Sequence, residues 1–255
     1  MSKVAGAAHG DTDPHAEHWG WSVWPFAVSM GILALVFAFG FWFVYHMQFA
    51  ATIALGVGVV LVIASVAGWT SEAMGHGEGL SYGAMGWFIL AEAMIFVSFF
   101  VSYWFMRLQA PDWPPANTPV ISKGLPLVMT AALVSSSFTI HYAESLLHKG
   151  DKAGFRTWLI LTIVLGASFL CMSGYEWNHL MHEGFNISTN VFGTSFFSIT
   201  GFHGGHVIVG LSIFLAGLPS ALAGNPSIGF WRTAGLYWHF VDIIWFFVVS
   251  QVYFW

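Results

Sequence analysis

The chain has 255 residues, of which 57% are hydrophobic and only 7% are charged, whereas soluble domains carry about a quarter charged residues. This composition excludes an ordinary water-soluble domain and predicts a membrane protein. The formal charge of -5 and the lack of a basic run exclude a nucleic-acid-binding surface of the usual kind. The single cysteine, Cys171, excludes an intrachain disulfide and a thiolate metal cluster within this polypeptide.

A polar tail precedes seven apolar stretches, each long enough to cross a bilayer, which takes about 20 residues. The predicted helices cover residues 22–45, 49–69, 81–107, 122–147, 155–180, 190–221 and 230–255. We therefore predict an all-α polytopic membrane protein, a bundle of seven transmembrane helices split into a two-helix hairpin and a five-helix bundle. Residues 1–20 form the polar N-terminal tail, and residues 21–255 form a single transmembrane domain with helices 1–2 at 22–69 and helices 3–7 at 81–255.

The connections between these helices predict the split and the topology. Residues 109–120 contain four prolines, which cannot continue a helix and so predict an ordered extramembrane loop. The glycine-rich residues 75–79 mark the seam between hairpin and bundle. With the N-terminus inside, five of the seven basic residues fall on the cytoplasmic side, which favours an inside N-terminus and an outside C-terminus. Most of the tryptophans are expected to anchor helix ends at the membrane interface.

Glu92 is an ionisable residue inside the third predicted helix. It lies eleven residues after Ser81, about 16 Å along an α-helix, and therefore near the middle of the bilayer. A charged side chain at that depth costs about 2.5–3.5 kcal/mol on insertion scales, so it requires a partner or a function. Two hypotheses stand equally: a carboxyl that exchanges protons or contacts lipid, and a neutral acid hydrogen-bonded to a neighbouring helix.

Asp242 is the second acid inside a predicted helix, the last of the chain. His239 and Trp238 precede it by three and four residues, so the three side chains share one helix face. We expect them to satisfy one another's hydrogen bonds and to act as a polar contact between helices. The alternative function for this face is a proton relay.

The sixth predicted helix combines histidines with glycines. His203 and His206 fall on one face, and Gly201 and Gly205 form a small-xxx-small pair that predicts close backbone contact with another helix. Hydrogen-bonded packing is the favoured interpretation, and a metal site is the alternative. The nearest further ligands for such a metal, at the end of the fifth helix, are Glu176, His179 and His182.

Two stretches near the C-terminus resemble subunit III of the haem-copper respiratory oxidases. Residues 192–210 are similar to the helix-six signature of that family, and residues 237–245 are similar to its final-helix signature. Further similar positions follow in order along the chain: Trp24-Pro25, His46, Trp69, 83–92, Phe99-Phe100, 113–115, Ser136-Ser137, Thr139, Gly150-Asp151, 161–166 and Glu176-Trp177. The resemblance covers residues 20–255, and seven helices fit the long form of the family.

The resemblance has two departures. Thr70-Ser71 stand where the family has an Arg-Asp pair, so a phosphate-binding arginine is missing there. Ser173 stands where the family tends to have a glutamine three residues before the glutamate of helix five.

The resemblance implies an accessory subunit of a proton-pumping terminal oxidase of aerobic respiration. It assigns no catalytic and no metal-binding residue to this chain, since haem and copper belong to partner subunits. The implied partners are oxidase subunits I and II, optionally a small subunit IV, and phospholipid bound in a cleft between the first two helices and the other five. Glu92 matches the family's membrane-buried, carbodiimide-reactive glutamate. The residues expected to make lipid or structural polar contacts are His76, Glu176, His203, His206, His239 and Asp242.

The implied subunit would support proton uptake and the stability of the complex, in a respiratory membrane such as the bacterial inner membrane. Subunit III of a quinol oxidase and a transporter using Glu92 are alternative functions. A haem-binding membrane cytochrome would need widely spaced histidine pairs on facing helices, and a membrane di-iron oxygenase would need more clustered histidines. The close histidine pair of helix six suits neither class.

Overall fold

A computed structural model describes residues 23–43, 45–75 and 82–254 of the chain. Within those ranges the protein is all-α, as predicted, with seven helices and no strand. The helices are α1 (Trp24–Phe43), α2 (Gln48–Gly75), α3 (Tyr82–Gln109), α4 (Gly124–His148), α5 (Lys152–His182), α6 (Val191–Leu222) and α7 (Ile228–Val252). Every one of these described helices is long and apolar enough to cross a membrane.

The largest boundary difference between prediction and structure lies at the end of α2. The apolar span of this helix ends at Ser65, close to the predicted end at residue 69, whereas the helix itself continues to Gly75. Hydropathy reports which residues belong in lipid, while helix length follows from backbone hydrogen bonds that polar residues make equally well.

The chain divides into two compact units, Met1–Glu78 and Gly79–Trp255. The division falls inside the glycine-rich seam that the sequence predicts, and it confirms the split into hairpin and bundle. In the hairpin, α1 packs on α2. Gly31 faces Val62 and Gly58 faces Leu35 so closely that a Cβ would lie 2.8 Å and 2.7 Å from those side chains. Small residues therefore bring these two backbones together.

In the five-helix unit, α7 is the central helix, with contacts to α3, α4 and α6. The remaining contacts join α4 with α5, α5 with α6, and α3 with α6. Trp231, Trp238 and Trp245 recur every seven residues on α7, and each is at most 1% exposed. The expectation that most tryptophans anchor the interface is wrong for these three, because a heptad spacing keeps them on the face that meets the other helices.

Trp238 fixes the spacing of α5, α6 and α7. A Cβ at Gly166 or at Gly210 would lie 2.8 Å or 2.7 Å from its ring, so the indole fits only because both positions lack a side chain. Its Nε1 donates to Ser136 Oγ on α4 at 2.8 Å. One residue thus sets the register of α7 against three neighbours.

Candidate functional site

Glu92 on α3 is paired with His206 on α6. Glu92 Oε2 lies 3.1 Å from His206 Nε2, and the two side chains are 20% and 11% exposed. The histidine on helix six is therefore the hydrogen-bonding partner that this half-buried acid requires. We call these two residues the Glu92–His206 pair.

The hydrogen bonds of His206 determine how many protons the pair holds. His206 Nδ1 lies 2.8 Å from the carbonyl oxygen of Phe202, which can only accept, so Nδ1 carries a hydrogen. The opposite nitrogen faces Glu92 Oε2, and one further proton must lie between these two atoms for a hydrogen bond to form. The pair is therefore either a neutral acid on a neutral imidazole or a carboxylate on an imidazolium, and its net charge is zero in both cases.

Aromatic side chains enclose the imidazole of the pair. The His206 ring lies 4.7 Å from the ring of Phe202, 5.1 Å from Phe96 and 6.4 Å from Phe240, measured between centroids. Tyr237 on α7 donates its hydroxyl to the backbone carbonyl of His206 at 3.3 Å. The pair thus links α3 and α6, and α7 covers it.

His203 lies one turn before His206 and is fully buried. Its ring lies 5.1 Å from Trp245, 5.7 Å from Phe169 and 6.4 Å from Phe96. Neither ring nitrogen has a hydrogen-bond partner among the described residues. The two histidines that the sequence places on one face therefore have different environments, since one is paired with an acid and the other is enclosed by aromatic rings.

Glu176 near the end of α5 accepts a hydrogen bond of 2.6 Å from the hydroxyl of Tyr253. Tyr253 follows the last residue of α7 and is buried. Burial, and then the neighbouring Glu176 carboxyl, raise the pKa of Tyr253 well above its usual range, so its hydroxyl remains a donor. On the exposed side of the same helix, His179 pairs with Glu183 at 3.4 Å.

Asp242 does not have the partners expected from its own helix. The indole of Trp238 donates to Ser136 instead, so the hypothesis that Trp238 serves Asp242 is wrong. Asp242 faces Ser137 of α4, yet both Asp242 Oδ1 and Ser137 Oγ are buried without a hydrogen bond to the described residues. His239 lies beside His141 of α4, with 6.3 Å between ring centroids.

The small-xxx-small pair of α6 does not make the contact that its spacing predicts. Gly201 meets the indole of Trp177, whose ring lies 2.7 Å from the ideal Cβ position, and not another backbone. Gly205 has no heavy atom within 4 Å of its ideal Cβ. The close approach on α6 occurs at Gly210, because that glycine faces the Trp238 ring.

In the part of the chain that the structure describes, no three His, Cys, Asp or Glu side chains come close enough together to bind a metal ion. His203 and His206 are not joined by Glu176, His179 or His182. His76, the remaining residue expected to make a polar contact, lies outside the described residues.

Sequence reasoning assigned no role to Ser137, His141 and Glu144, which face α7 from α4. A signal was present: the three residues are spaced by four and three positions, and their counterparts Asp242, His239 and Gly235, taken backwards along α7, are spaced by three and four. Matching one-turn spacings on two helices indicate faces that can pack antiparallel. Glu144 Oε1 lies directly against Gly235, where no Cβ could fit.

Comparisons with known proteins identify relatives of this chain. A family model described as cytochrome c oxidase subunit III matches residues 19–255. A probable cytochrome c oxidase subunit 3 of Nocardia farcinica is 42% identical over 137 residues, covering 53% of this chain and 66% of the relative. Cytochrome c oxidase subunit 3 of Synechocystis is 37% identical over 142 residues, covering 56% of this chain and 59% of the relative.

A longer alignment joins the chain to cytochrome c oxidase subunit 3 of Lumbricus terrestris. The two are 34% identical over 212 residues, which cover 77% of this chain and 79% of the relative. The bacterial alignments above, by contrast, span less than two thirds of those relatives' own length.

Proposed function

The chain belongs to the cytochrome c oxidase subunit III family, and from that membership we propose that it is the non-redox accessory subunit of a proton-pumping haem-copper terminal oxidase. In this role it packs against the catalytic subunit, binds phospholipid, and supports proton uptake and stability. Haem and copper reside on the partner subunits. The observation that carries the proposal is the family match across residues 19–255.

The Glu92–His206 pair supports an accessory role. Its Oε2–Nε2 contact of 3.1 Å uses the histidine nitrogen that a metal would otherwise require. The Nδ1 atom is bonded to the Phe202 carbonyl. Glu176 likewise accepts a hydrogen bond from the hydroxyl of Tyr253. The intramembrane acids and histidines with known partners thus connect helices.

The test of the proposal is purification of the tagged full chain from its native membrane. We expect oxidase subunits I and II, carrying haem and copper, to co-purify with it in fixed ratio. After separation from these partners, the chain should show no stoichiometric haem or copper. A Soret band on the separated polypeptide, or a complex without a haem-copper subunit, would overturn the assignment.

Glu92→Gln tests the role of the pair in the complex. The glutamine amide can donate to His206 Nε2 and keeps the shape of the acid, so assembly, electron transfer and the proton-to-electron stoichiometry in reconstituted vesicles should remain unchanged. Glu183→Gln, at an exposed acid at the end of α5, is the matched control. A stoichiometry that falls to zero with turnover intact would place Glu92 on the pumped pathway.

Phospholipid binding is the part of the proposal that involves the hairpin. The resemblance implies bound phospholipid, and Thr70-Ser71 replace the arginine that would hold its phosphate. We propose that His76 donates to the phosphate in its place. Mass spectrometry should then find less phospholipid retained by a His76→Ala complex than by wild type or by a His9→Ala control. Equal retention in all three would contradict the role of His76.

The alternatives concern the electron donor and Glu92. A quinol oxidase would contain the same type of subunit, so steady-state oxidation of reduced cytochrome c and of quinol by the purified complex separates the two. A transporter would move a solute through vesicles that contain this chain without oxidase subunits. The Glu92–His206 pair disfavours the transporter, since its acid is already bonded to a neighbouring helix.

We propose a respiratory membrane as the location, with the N-terminus inside. Two of the basic residues assigned to the inside lie together at the end of α6. Lys152 Nζ donates to the Gly224 carbonyl at 2.7 Å, and Arg156 donates to the Leu222 carbonyl at 3.3 Å. They therefore cover the C-terminal end of α6 on the side that carries most of the positive charge. Labelling of a cysteine introduced at Lys149 from the cytoplasmic side only would agree with this orientation, and labelling from the outside only would reverse it.

A further inference from the structure

The facing sides of α4 and α7 carry polar residues at every turn. Ser137 faces Asp242, His141 lies beside His239, and Glu144 lies against Gly235. Each step towards the end of α4 is matched by a step towards the start of α7, so the three contacts form successive layers of an antiparallel helix pair. We call these six residues the α4–α7 seam.

The innermost layer of the seam contains two unsatisfied polar atoms. Asp242 is 7% exposed and Ser137 is 8% exposed, and neither Asp242 Oδ1 nor Ser137 Oγ has a hydrogen bond in the described part of the chain. A buried polar atom without a partner costs about 1–3 kcal/mol. Such a cost indicates that the layer holds something further, such as a proton on the acid or a water molecule between the two oxygens.

The outer layers connect this acid to the end of the helix pair. Ser137 lies eleven residues before His148, the last residue of α4, which places Asp242 about 16 Å from that end, with layers about 5 Å apart. Burial differs between the layers: Asp242 and Gly235 are buried, His239 and Glu144 are half-buried, and His141 is exposed. The middle layer is the most exposed of the three, and each layer between the inner end of the seam and its His148 end contains a titratable side chain.

Titratable groups also face α7 from α3 and α6. On α6 this group is His203, which lies on Trp245 and is fully buried. On α3 it is Glu92, near Tyr237 and already paired with His206. At the outer layer, the positive charge of Arg232 acts on Glu144.

We propose that the α4–α7 seam is a proton-exchange site, in which Asp242 takes up and releases a proton through His141 and His239 from water at the His148 end. A hydronium ion gives its proton to one nitrogen of an imidazole and leaves water. The imidazole releases a proton from its other nitrogen towards Asp242, whose carboxylate becomes a carboxylic acid. The reverse sequence returns the proton, so no oxidant or other reactant is needed. Rows of Asp, Glu and His at membrane depth conduct protons in pumps and transporters.

The Glu92–His206 pair, which only joins two helices, differs from the α4–α7 seam in the environment of its acid. In that pair the acid is bonded to a histidine enclosed by aromatic rings. In the seam, Asp242 Oδ1 has no hydrogen bond to the described residues, and His141 and His239 lie beside each other one turn further along the helix pair.

The test is hydrogen–deuterium exchange at Asp242, followed by infrared spectroscopy of the purified complex that contains the full chain. The difference between wild type and Asp242→Asn isolates the carbonyl band of the protonated acid. We expect this band to shift to its deuterated position within the mixing time. In the His141→Phe/His239→Phe variant the shift should be roughly a hundredfold slower, the lower end of what a positioned proton carrier contributes.

His179→Phe/His182→Phe, at the far end of α5, is the control and should leave the exchange rate unchanged. Exchange that is equally fast in the seam variant would overturn the proposal, as would a wild-type band that fails to shift. Absence of any protonated Asp242 band would do the same, because the acid would then hold no proton. If the complex with Asp242→Asn does not assemble, Asp242→Glu is used instead, because it shifts the carbonyl band of the protonated acid and so identifies it. If the complex with His141→Phe/His239→Phe does not assemble, His141→Gln and His239→Gln replace that double variant.

Discussion

Glu92 and Asp242 are two acids within apolar helices of the same five-helix unit, and they differ in their hydrogen bonds. Glu92 reaches His206 on another helix at 3.1 Å, whereas Asp242 Oδ1 is buried with no hydrogen bond to the described residues. Both are carboxylic acids inside long apolar helices. The neighbouring helix makes the difference, because α6 presents the imidazole of His206 to Glu92, whereas α4 presents the hydroxyl of Ser137 to Asp242 without a hydrogen bond to Oδ1.

This difference separates polar residues that hold helices together from polar residues that remain available for proton exchange. A bonded pair stabilises the bundle through the cost of separating it, since each partner would be left buried and unsatisfied. An unbonded acid adds little to stability. The three predictions below test this contrast through the free energy of unfolding of the full chain, measured by titration with SDS in mixed micelles.

The largest expected effect is that of His206→Leu. Leucine fills a similar volume but leaves Glu92 without its partner, so the free energy of unfolding should fall by about 3 kcal/mol. His148→Leu, at an exposed histidine at the end of α4, should change it little. Equal losses in both variants would mean that the pair does not connect α3 and α6.

An intermediate effect is expected for Gly210→Ala, which alters the packing of Trp238 against α5 and α6. The new Cβ would lie 2.7 Å from the indole. The ring cannot retreat because Gly166 is equally close on its other side. We expect a loss of about 2 kcal/mol from overpacking.

Gly205→Ala is the matched control on the same helix. Its ideal Cβ has no heavy atom within 4 Å, so the free energy of unfolding should not fall. A loss at Gly205 that equals the loss at Gly210 would restore the small-xxx-small contact predicted from spacing.

The smallest effect is expected for Asp242→Asn. The replacement keeps the shape of the side chain and removes an acid that has no hydrogen bond at Oδ1, so the loss should stay below about 1 kcal/mol. A loss as large as that of His206→Leu would show that Asp242 is held by a partner, and the contrast between the two acids would fail.

The sequence predicted some features of the site and not others. Helical periodicity placed His203 and His206 on one face and placed Glu92 near mid-bilayer. It did not predict that His206 would bond Glu92, that His203 would have no partner, or that the Trp238 indole would donate to Ser136. Periodicity indicates which way a side chain points along its own helix, and it contains no information about which helix lies opposite.

Length and hydropathy sufficed for the number of helices and the membrane environment, because lipid imposes a fixed span and excludes charge from every helix alike. The glycine-rich residues 75–79 indicated the split between hairpin and bundle. The pairing of polar residues depended on how the helices meet. That arrangement follows from a few steric contacts, such as Trp238 between Gly166 and Gly210, whose partners are far apart in the chain. A shift of one residue in any of these contacts would bring different side chains together, so which acid is bonded and which is left available is decided by packing between helices.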